Sequence, residues 1–136
     1  MKETSIRVAD YMTEHHQPIH CGTPLNEVVE RLIHDHLTGL PVVDEHKRVI
    51  GFVSEQDCVK QALEGSYYCN QNARVNEVMQ KDVLTVSPND DIIDVAQRII
   101  NHQPKIYPVV ENEKLVGIIT RSDILRALTK HSTQCY

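Results

Sequence analysis

The sequence lacks several features that would identify a chemical class at once. None of its four cysteines, Cys21, Cys58, Cys69 and Cys135, forms a Cys-x-x-Cys pair, so neither a zinc ribbon nor a thioredoxin-type site is predicted. No apolar run is long enough to span a bilayer, and the first residues lack the apolar segment of a signal peptide. We therefore expect reduced thiols, a cytoplasmic location and no membrane association.

An excess of basic residues is also absent. The 136 residues include 14 Lys and Arg against 19 Asp and Glu, which gives a formal net charge of -5. A broad nucleic-acid surface needs clustered basic side chains that replace phosphate counterions, so no nucleic-acid partner is expected. A small anion pocket remains compatible with this charge because a few residues set its local field.

Catalytic and metal-binding motifs are missing as well. The sequence has no Gly-x-Ser-x-Gly elbow, no P-loop and no Cys–His signature, and no nucleophile is paired with an evident base. Its eight histidines match no ligand set; His34 and His36, for example, are two residues apart on a predicted helix and do not share a face. We expect no enzymatic activity, no metal and no required cofactor.

An internal repeat is the main feature that is present. Identical residues recur at a shift of 67 positions, which becomes 66 after one residue is dropped in a turn. The matched pairs include Val8 with Val75, Met12 with Met79, Pro41 with Pro108, Gly51 with Gly117, and Asp57 with Asp123. So many spaced identities do not arise by chance, so the chain is predicted to contain two copies of one unit within a single domain.

Each copy has the same order of predicted elements: strand, helix, strand, strand, helix. Apolar residues at helical spacing predict the first helix of each copy; they are Leu25, Val28, Val29, Leu32 and Ile33, then Ile92, Val95, Ala96, Ile99 and Ile100. Short β-branched runs on either side of a polar turn predict the hairpins; their strands span 40–43 and 49–53, then 106–110 and 115–119. Short strands are expected near Ile19 and over 84–86.

The ends of the helices and the joint between the copies carry further signals. Thr23 followed by Pro24 predicts an N-cap and a first helical residue, and Asp90 is predicted to cap the second helix. The closing helices are predicted to face the core through apolar residues, namely Val59, Ala62 and Leu63, then Ile124, Leu125 and Leu128. The polar segment 65–74 is interpreted as a mobile linker.

The hairpins and the residues after them resemble the CBS motif. Its pattern is hydrophobic-Pro-Val-Val-acidic, followed by Gly-hydrophobic-hydrophobic-Ser/Thr-x-x-Asp; here it reads 40–44 with 51–57 and 107–111 with 117–123. Two tandem copies at matching spacing make the signal specific. The resemblance, to a stand-alone CBS pair (a Bateman module), implies an α/β fold. Its motifs, over 5–64 and 75–131, would pack about a pseudo-two-fold axis as one compact domain.

The resemblance implies a function in sensing. CBS pairs commonly bind adenosine-containing ligands, such as AMP, ADP, ATP or S-adenosylmethionine, in two clefts between their motifs, and transmit binding to a partner. An adenine nucleotide is therefore the expected regulatory ligand, and a homodimer and an unidentified protein target are the expected protein partners. The alternative is a structural interaction module whose clefts stay unoccupied.

The resemblance also implies the ligand-binding residues. In the first copy these are Thr38, Leu40, Pro41, Ser54 and Asp57, and in the second copy Thr85, Lys105, Ile106, Tyr107, Pro108, Thr120, Arg121 and Asp123. The residues just before each Pro-Val-Val strand line the base pocket in the family. For Leu40 and Ile106 the alternative to ligand binding is packing in the core. For Tyr107 the alternative is a ring whose hydroxyl lies at the surface. At the entry strand, Thr85 has Pro18 as its counterpart.

Ser/Thr-x-x-Asp has two interpretations. Where a strand passes into a helix, the carboxylate can accept hydrogen bonds from ribose hydroxyls, and the hydroxyl and free helix-start N–H groups suit a phosphate. The same spacing is a capping box, and the two roles are compatible. Because Arg121 and Lys105 stand where the first copy has Glu55 and Thr38, the second copy is predicted to bind phosphate-bearing nucleotides more tightly.

Overall fold

The computed structural model describes residues 6–14, 16–64, 73–102 and 105–131. Residues 17–83 form one unit, called the first unit, and residues 1–16 together with 84–136 form another, called the second unit. Both have the mixed α/β composition that the repeat predicts. Most of the expected mobile linker, at 65–72, lies outside the described residues, as do Tyr67 and Tyr68.

The first unit combines a three-stranded sheet with two helices and a short helical turn. Its elements are β1 (Ile19–His20), α1 (Leu25–Asp35), β2 (Gly39–Val43), β3 (Val49–Ser54), α2 (Glu55–Glu64) and α3 (Val75–Val78). The strand order is β1-β2-β3, with β1 parallel and β3 antiparallel to β2. The buried core comprises Ile19, Val28, Leu32, Leu40, Val42, Val53 and Val75. It follows the apolar spacing of the sequence.

The second unit repeats this plan with a weaker entry strand. Its elements are a 3-10 helix (Val8–Asp10), α4 (Ile92–His102), β4 (Ile106–Glu111), β5 (Lys114–Thr120) and α5 (Arg121–Lys130). β4 and β5 pair antiparallel. The strand expected over 84–86 is reduced to one parallel bridge, between Val86 and Val109. The core comprises Val8, Val86, Ile92, Val95, Tyr107, Val109, Ile119, Ile124 and Ala127.

The helical turns that open the two sequence repeats are exchanged between the packing units. Val8, in the first repeat, is buried in the core of the second unit, and its N–H donates to Asp90 O at 2.9 Å. Val75, in the second repeat, is buried in the core of the first unit, and its N–H donates to Thr23 O at 2.9 Å. Each packing unit therefore combines the opening turn of one repeat with the remaining elements of the other.

The hairpin turns explain why the repeat shift changes from 67 to 66. In the first hairpin, Asp44 Oδ1 accepts the N–H of His46 at 2.8 Å and that of Arg48 at 3.0 Å. These bonds lower the pKa of the Asp44 carboxyl, and the bond from the Arg48 N–H has the largest effect. In the second hairpin, Asn112 and Glu113 alone connect the paired ends of β4 and β5, with φ of 54° and 67°. Two left-handed residues make the tight turn typical of short hairpins.

Both predicted N-caps are wrong by one residue. Pro24 has extended backbone (φ -60°, ψ 141°) and is itself the N-cap of α1, while the Thr23 hydroxyl donates to His20 O at 2.6 Å. At α4 the capping oxygen is Asp91 Oδ1, which accepts the N–H of Ile93 at 3.0 Å. Asp90 instead accepts the N–H of Ser87 at 2.9 Å, which closes the turn before the helix.

The closing helices are less buried than predicted. Within α5, Ile124 is buried as expected, but Leu125 is exposed. Within α2 the prediction is wrong throughout, since the helix has no buried residue and Leu63 is 80% exposed. The apolar face of α2 is therefore left to solvent.

Candidate functional site

The first candidate site is the junction between β3 and α2, here called the first junction. The N–H of Ser54 donates to Asp57 Oδ2 at 3.0 Å, and the N–H of Asp57 donates to Ser54 Oγ at 3.1 Å. These reciprocal bonds form the capping box that the spacing predicts. The other carboxylate oxygen, Oδ1, accepts the side-chain amide of Gln80 at 2.9 Å. The aspartate is thus fixed in place and half-buried.

The second junction, between β5 and α5, has the same backbone geometry. The N–H of Thr120 donates to Asp123 Oδ2 at 3.0 Å, and the N–H of Asp123 donates to Thr120 Oγ1 at 3.1 Å. Asp123 is only 6% exposed, the one buried charged residue among those described. Its Oδ1 accepts a hydrogen bond from the Arg126 guanidinium. A buried carboxylate with a charged partner is a concentrated electrostatic feature.

The residues that precede β2 and β4 lie next to these junctions. The first helical N–H of α2, on Glu55, donates to Thr38 O at 2.8 Å, and that of α5, on Arg121, donates to Lys105 O at 3.0 Å. The helix-start N–H groups that were expected to be free for a phosphate are therefore partly used within the chain. Side chains can also take part in recognition of a phosphate, and those of Lys105 and Arg121 are exposed.

Two of the expected base-pocket residues lie in the cores. Leu40 and Tyr107 occupy equivalent positions and are almost fully buried, at 0% and 1% exposed. For Leu40 this is the core packing considered as an alternative. For Tyr107 the alternative of a surface hydroxyl is wrong, because Oη is buried and has no hydrogen-bond partner among the described residues. Ile106, Pro41 and Pro108 are buried too. Since side chains alternate along a strand, they face the opposite side of their sheets.

Thr85 lies beside β4, next to the residue that pairs with this strand. It is exposed and precedes Val86, whose N–H donates to Pro108 O at 3.0 Å. In the first unit Pro18 takes the corresponding place before Ile19, which pairs with Val42. The second unit therefore has a hydroxyl where the first has a proline ring.

Two residues with direct contacts to the junction aspartates were missed by sequence reasoning. Arg126 lies three residues after Asp123 on the same helix, so helical spacing could have identified it. Gln80 lies 23 residues from Asp57. It reaches the junction because its backbone pairs with Phe52 of β3, through N–H···O bonds of 2.8 and 2.9 Å. No local pattern in the sequence reports this pairing.

A family model, the CBS domain, matches residues 8–64 and 75–130. The chain belongs to the CBS domain family. The two matched ranges cover both repeats and end where the structure places α2 and α5, which confirms the resemblance and the fold class drawn from the hairpin motifs.

Solved structures of CBS pairs are similar over nearly the whole chain. CBSX2 from Arabidopsis thaliana is 26% identical with a TM-score of 0.83, over 93% of this chain and 96% of that one. CBSX2 in complex with AMP is 27% identical with a TM-score of 0.80, over 91% and 96%. The CBS domain pair of the protein MJ0100, in complex with 5′-methylthioadenosine and S-adenosyl-L-methionine, is 25% identical with a TM-score of 0.77, over 93% and 98%.

Curated relatives are much longer proteins. A homoserine O-acetyltransferase of Methanococcoides burtonii is 33% identical over 92% of this chain, which spans 25% of that relative. An uncharacterized protein of Methanocaldococcus jannaschii is 32% identical over 92% of this chain, which spans 40% of it. The chain therefore spans less than half the length of these two relatives.

Outside the CBS junctions, a surface cavity of about 490 Å³ opens at the far end of β2. It is lined by His20, Cys21, Val43, Asp44, Glu45, His46 and Arg48. In the described part of the chain no three or more His, Cys, Asp or Glu side chains are grouped so as to hold a metal ion. Over the same residues, no helix has the length and apolar character needed to cross a bilayer.

Cys58, next to Asp57, is expected to report on the first junction. Burial raises the pKa of its thiol, and the neighbouring Asp57 and Glu55 carboxylates raise it further. Because the thiolate is the reactive form, iodoacetamide at pH 8 should modify Cys58 more slowly than the exposed Cys21. Peptide mapping by mass spectrometry over time measures both rates. Asp57→Asn should accelerate the modification of Cys58 but not that of Cys21. Equal acceleration at both cysteines would contradict this electrostatic cause.

Tyr107 is expected to weaken the protein at alkaline pH. Burial raises the pKa of its hydroxyl above the usual 10.0, so the folded state holds this proton more tightly than the unfolded state. Stability is then intact below pH 10 and falls as pH rises through the raised pKa. Tyr107→Phe should abolish this loss and cost nothing near neutrality, because Oη has no partner among the described residues.

Tyr11→Phe is the matched control for Tyr107→Phe. The Tyr11 hydroxyl is hydrogen-bonded to His131 Nε2 at 3.0 Å, so its removal should lower stability by about 0.5–1.5 kcal/mol near neutral pH. It should leave the alkaline loss in place. Urea unfolding at pH 7.5 and pH 10.5 measures both effects. Destabilisation of Tyr107→Phe at pH 7.5 would contradict the assignment.

Proposed function

We propose that this chain is a regulatory module that binds an adenosine-containing ligand, such as AMP, ADP or ATP, through its Ser/Thr-x-x-Asp junctions, and that it catalyses no reaction. The observation that carries the proposal is the arrangement of Asp57 and Asp123. Each is fixed by a capping box through Oδ2, so each presents Oδ1 at the start of a helix in a defined orientation. Two CBS pairs of similar structure are complexes with AMP or with S-adenosyl-L-methionine.

The chemistry of a ribose suits this arrangement. Vicinal hydroxyls are two donors, and a carboxylate accepts several hydrogen bonds because it has two oxygens with about four lone-pair positions. Hydrogen bonds to a charged acceptor are stronger than those between neutral groups. Capping and ligand binding therefore use different oxygens of the same carboxylate, and neither role excludes the other.

A thermal-shift screen tests the proposal. A ligand that binds only the folded protein raises its free energy of unfolding by mass action, by about 2.7 kcal/mol at a ligand concentration of 100 times the Kd. The melting temperature rises as a result. AMP, ADP, ATP, adenosine and S-adenosylmethionine should raise it, whereas GMP and CMP serve as base-specificity controls. Absence of any shift at millimolar adenosine ligands would reject the proposal and favour the interaction module.

A second function, self-association, is favoured by exposed apolar side chains on the helices. In the first unit these are Ile33, Val59 and Leu63, and in the second unit Ile93, Ile100 and Leu125. Several large exposed apolar residues on paired helices are typical of protein interaction surfaces. We infer that a second copy of the chain covers them, since symmetric pairing of identical chains is the commonest assembly.

Leu63→Glu and Ile100→Glu are expected to weaken the homodimer at least tenfold. Each places a carboxylate in an apolar contact, where an unpaired charge is costly to bury. Gln61→Glu supplies the control, because Gln61 is two residues from Leu63 and so lies on another face of the same helix. Light scattering across micromolar concentrations measures the mass. A monomeric parent protein, or dimers unaffected by both substitutions, would contradict this.

A further inference from the structure

The two junctions differ in the group that contacts the second oxygen of each aspartate. Oδ2 accepts a main-chain N–H in both. Oδ1 of Asp57 accepts a neutral amide from Gln80 at 2.9 Å, whereas Oδ1 of Asp123 accepts the Arg126 guanidinium. If Oδ1 is the oxygen that binds ribose, a ligand must displace a neutral donor at the first junction and a cation at the second.

The guanidinium of Arg126 can leave this oxygen when another donor replaces it. Its side chain is 60% exposed, although that of Asp123 is only 8% exposed. The buried carboxylate needs a hydrogen-bond donor at this oxygen because a buried charge left without a partner is costly, and a ribose hydroxyl can supply that donor. The long arginine side chain can therefore turn away while water solvates it.

Two of the main-chain N–H groups at this helix start already have partners within the chain. The N–H of Arg121 already donates to Lys105 O, and that of Asp123 to Thr120 Oγ1. Cationic side chains are further donors that can bind a phosphate. Arg126 and Lys130 follow Asp123 by three and seven residues and so share its helix face. The corresponding residues after Asp57 are Lys60 and Glu64, so the second junction has the more positive face.

We propose that Arg126 makes the second junction selective for nucleotides over nucleosides. The inference rests on the proposed function. A ribose hydroxyl replaces the guanidinium at Asp123 Oδ1, and the released guanidinium binds the phosphate of the same ligand. An arginine can bind phosphate through two parallel N–H···O bonds. Adenosine must displace the cation without offering it a new partner, whereas AMP offers one.

Calorimetric titration of the full chain with AMP and with adenosine tests this inference. For Arg126→Met we expect the AMP affinity at the tighter site to fall about 10- to 100-fold, the loss of a charged hydrogen bond. The adenosine affinity should stay equal or increase, because Asp123 Oδ1 is released. Arg126→Lys should lie between parent and Met, since lysine keeps the charge but not the planar fork.

Lys60→Met is the matched control, because it removes the cation at the corresponding position of α2 and should leave the ratio of AMP to adenosine affinity unchanged. Added salt should weaken AMP binding more steeply in the parent than in Arg126→Met. Thermal melts without ligand verify that each variant is folded. If Arg126→Met is not folded, Arg126→Lys is tested instead, and we expect its ratio of AMP to adenosine affinity to fall.

The outcomes separate the inference from the proposed function. Equal losses of affinity for AMP and adenosine in Arg126→Met would show that Arg126 only positions Asp123, and unchanged affinities for both ligands would show that it takes no part in binding. Either result overturns the inference while adenosine binding by the parent upholds the proposed function. A parent protein that binds neither ligand overturns both.

Discussion

Replacement of Asp123 by alanine is expected to lower the affinity for AMP and for adenosine alike, by about 10- to 100-fold, the effect of losing hydrogen bonds to a charged group. The buried carboxylate is the proposed ribose acceptor. Asp57→Ala should cause a smaller loss, because Glu55 rather than arginine follows the serine of the first junction and its environment is less favourable for a phosphate. Calorimetry with AMP, ADP and ATP measures both variants.

A loss of the helix cap must be distinguished from a loss of ligand contacts in Asp123→Ala. Removing an N-terminal capping interaction costs about 1 kcal/mol of stability, which lowers the melting temperature without ligand. Asp123→Asn supplies the control, since its amide oxygen can still accept the Thr120 N–H but carries no charge. It should retain most of the stability and lose most of the affinity. A larger loss for Asp57→Ala than for Asp123→Ala would reverse the predicted ranking of the junctions.

The order of the elements could be predicted because it depends on local periodicity. The spacing from Leu25 to Ile33 and from Ile92 to Ile100 predicts two helices that the structure confirms, and both hairpins follow from β-branched runs. The exact ends could not be predicted so well. Leu25 N–H donates to Ala73 O at 2.9 Å, a partner 48 residues away. This contact holds Pro24 in extended backbone, so the helix begins one residue late.

Burial was harder to predict than secondary structure. Val59 and Leu63 have the spacing of an inward face, yet both are exposed. Apolar periodicity identifies one face of a helix but not what covers it. The exchange of Val8 and Val75 between units has the same origin, because a repeat in sequence does not specify which copy supplies each packing contact.

Only those contacts of the candidate site that depend on local motif spacing could be predicted from the sequence. The capping boxes at Ser54 and Thr120 could be predicted because their i, i+3 spacing is visible in the sequence. The contact of Gln80 with Asp57 depends on the pairing of β3 with a distant segment, and the burial of Asp123 depends on packing around α5. These are long-range properties, and they are what makes the two junctions chemically unequal.

The largest effect on stability is expected for Gly117→Ala, about 2–3 kcal/mol, the upper range for overpacking. Gly117 and Gly51 are the glycines of the two CBS motifs, and at both the turn that ends in methionine approaches the strand closely. A Cβ on Gly117 would lie 2.8 Å from the backbone oxygen of Thr13. Thr13 and Ile118 exchange hydrogen bonds of 2.8 and 2.9 Å, so that backbone cannot yield without breaking the pairing.

Gly51→Ala is the matched variant and should cost less, about 1 kcal/mol. Its Cβ would meet chiefly the Met79 side chain at Sδ, while the backbone oxygen of Gln80 is 3.0 Å away. A thioether is flexible and can change its rotamer. Met79→Ala should therefore relieve much of the cost of Gly51→Ala, whereas Met12→Ala should not relieve that of Gly117→Ala. Double-mutant cycles from urea unfolding measure both couplings, and equal relief in both would contradict a backbone clash at Gly117.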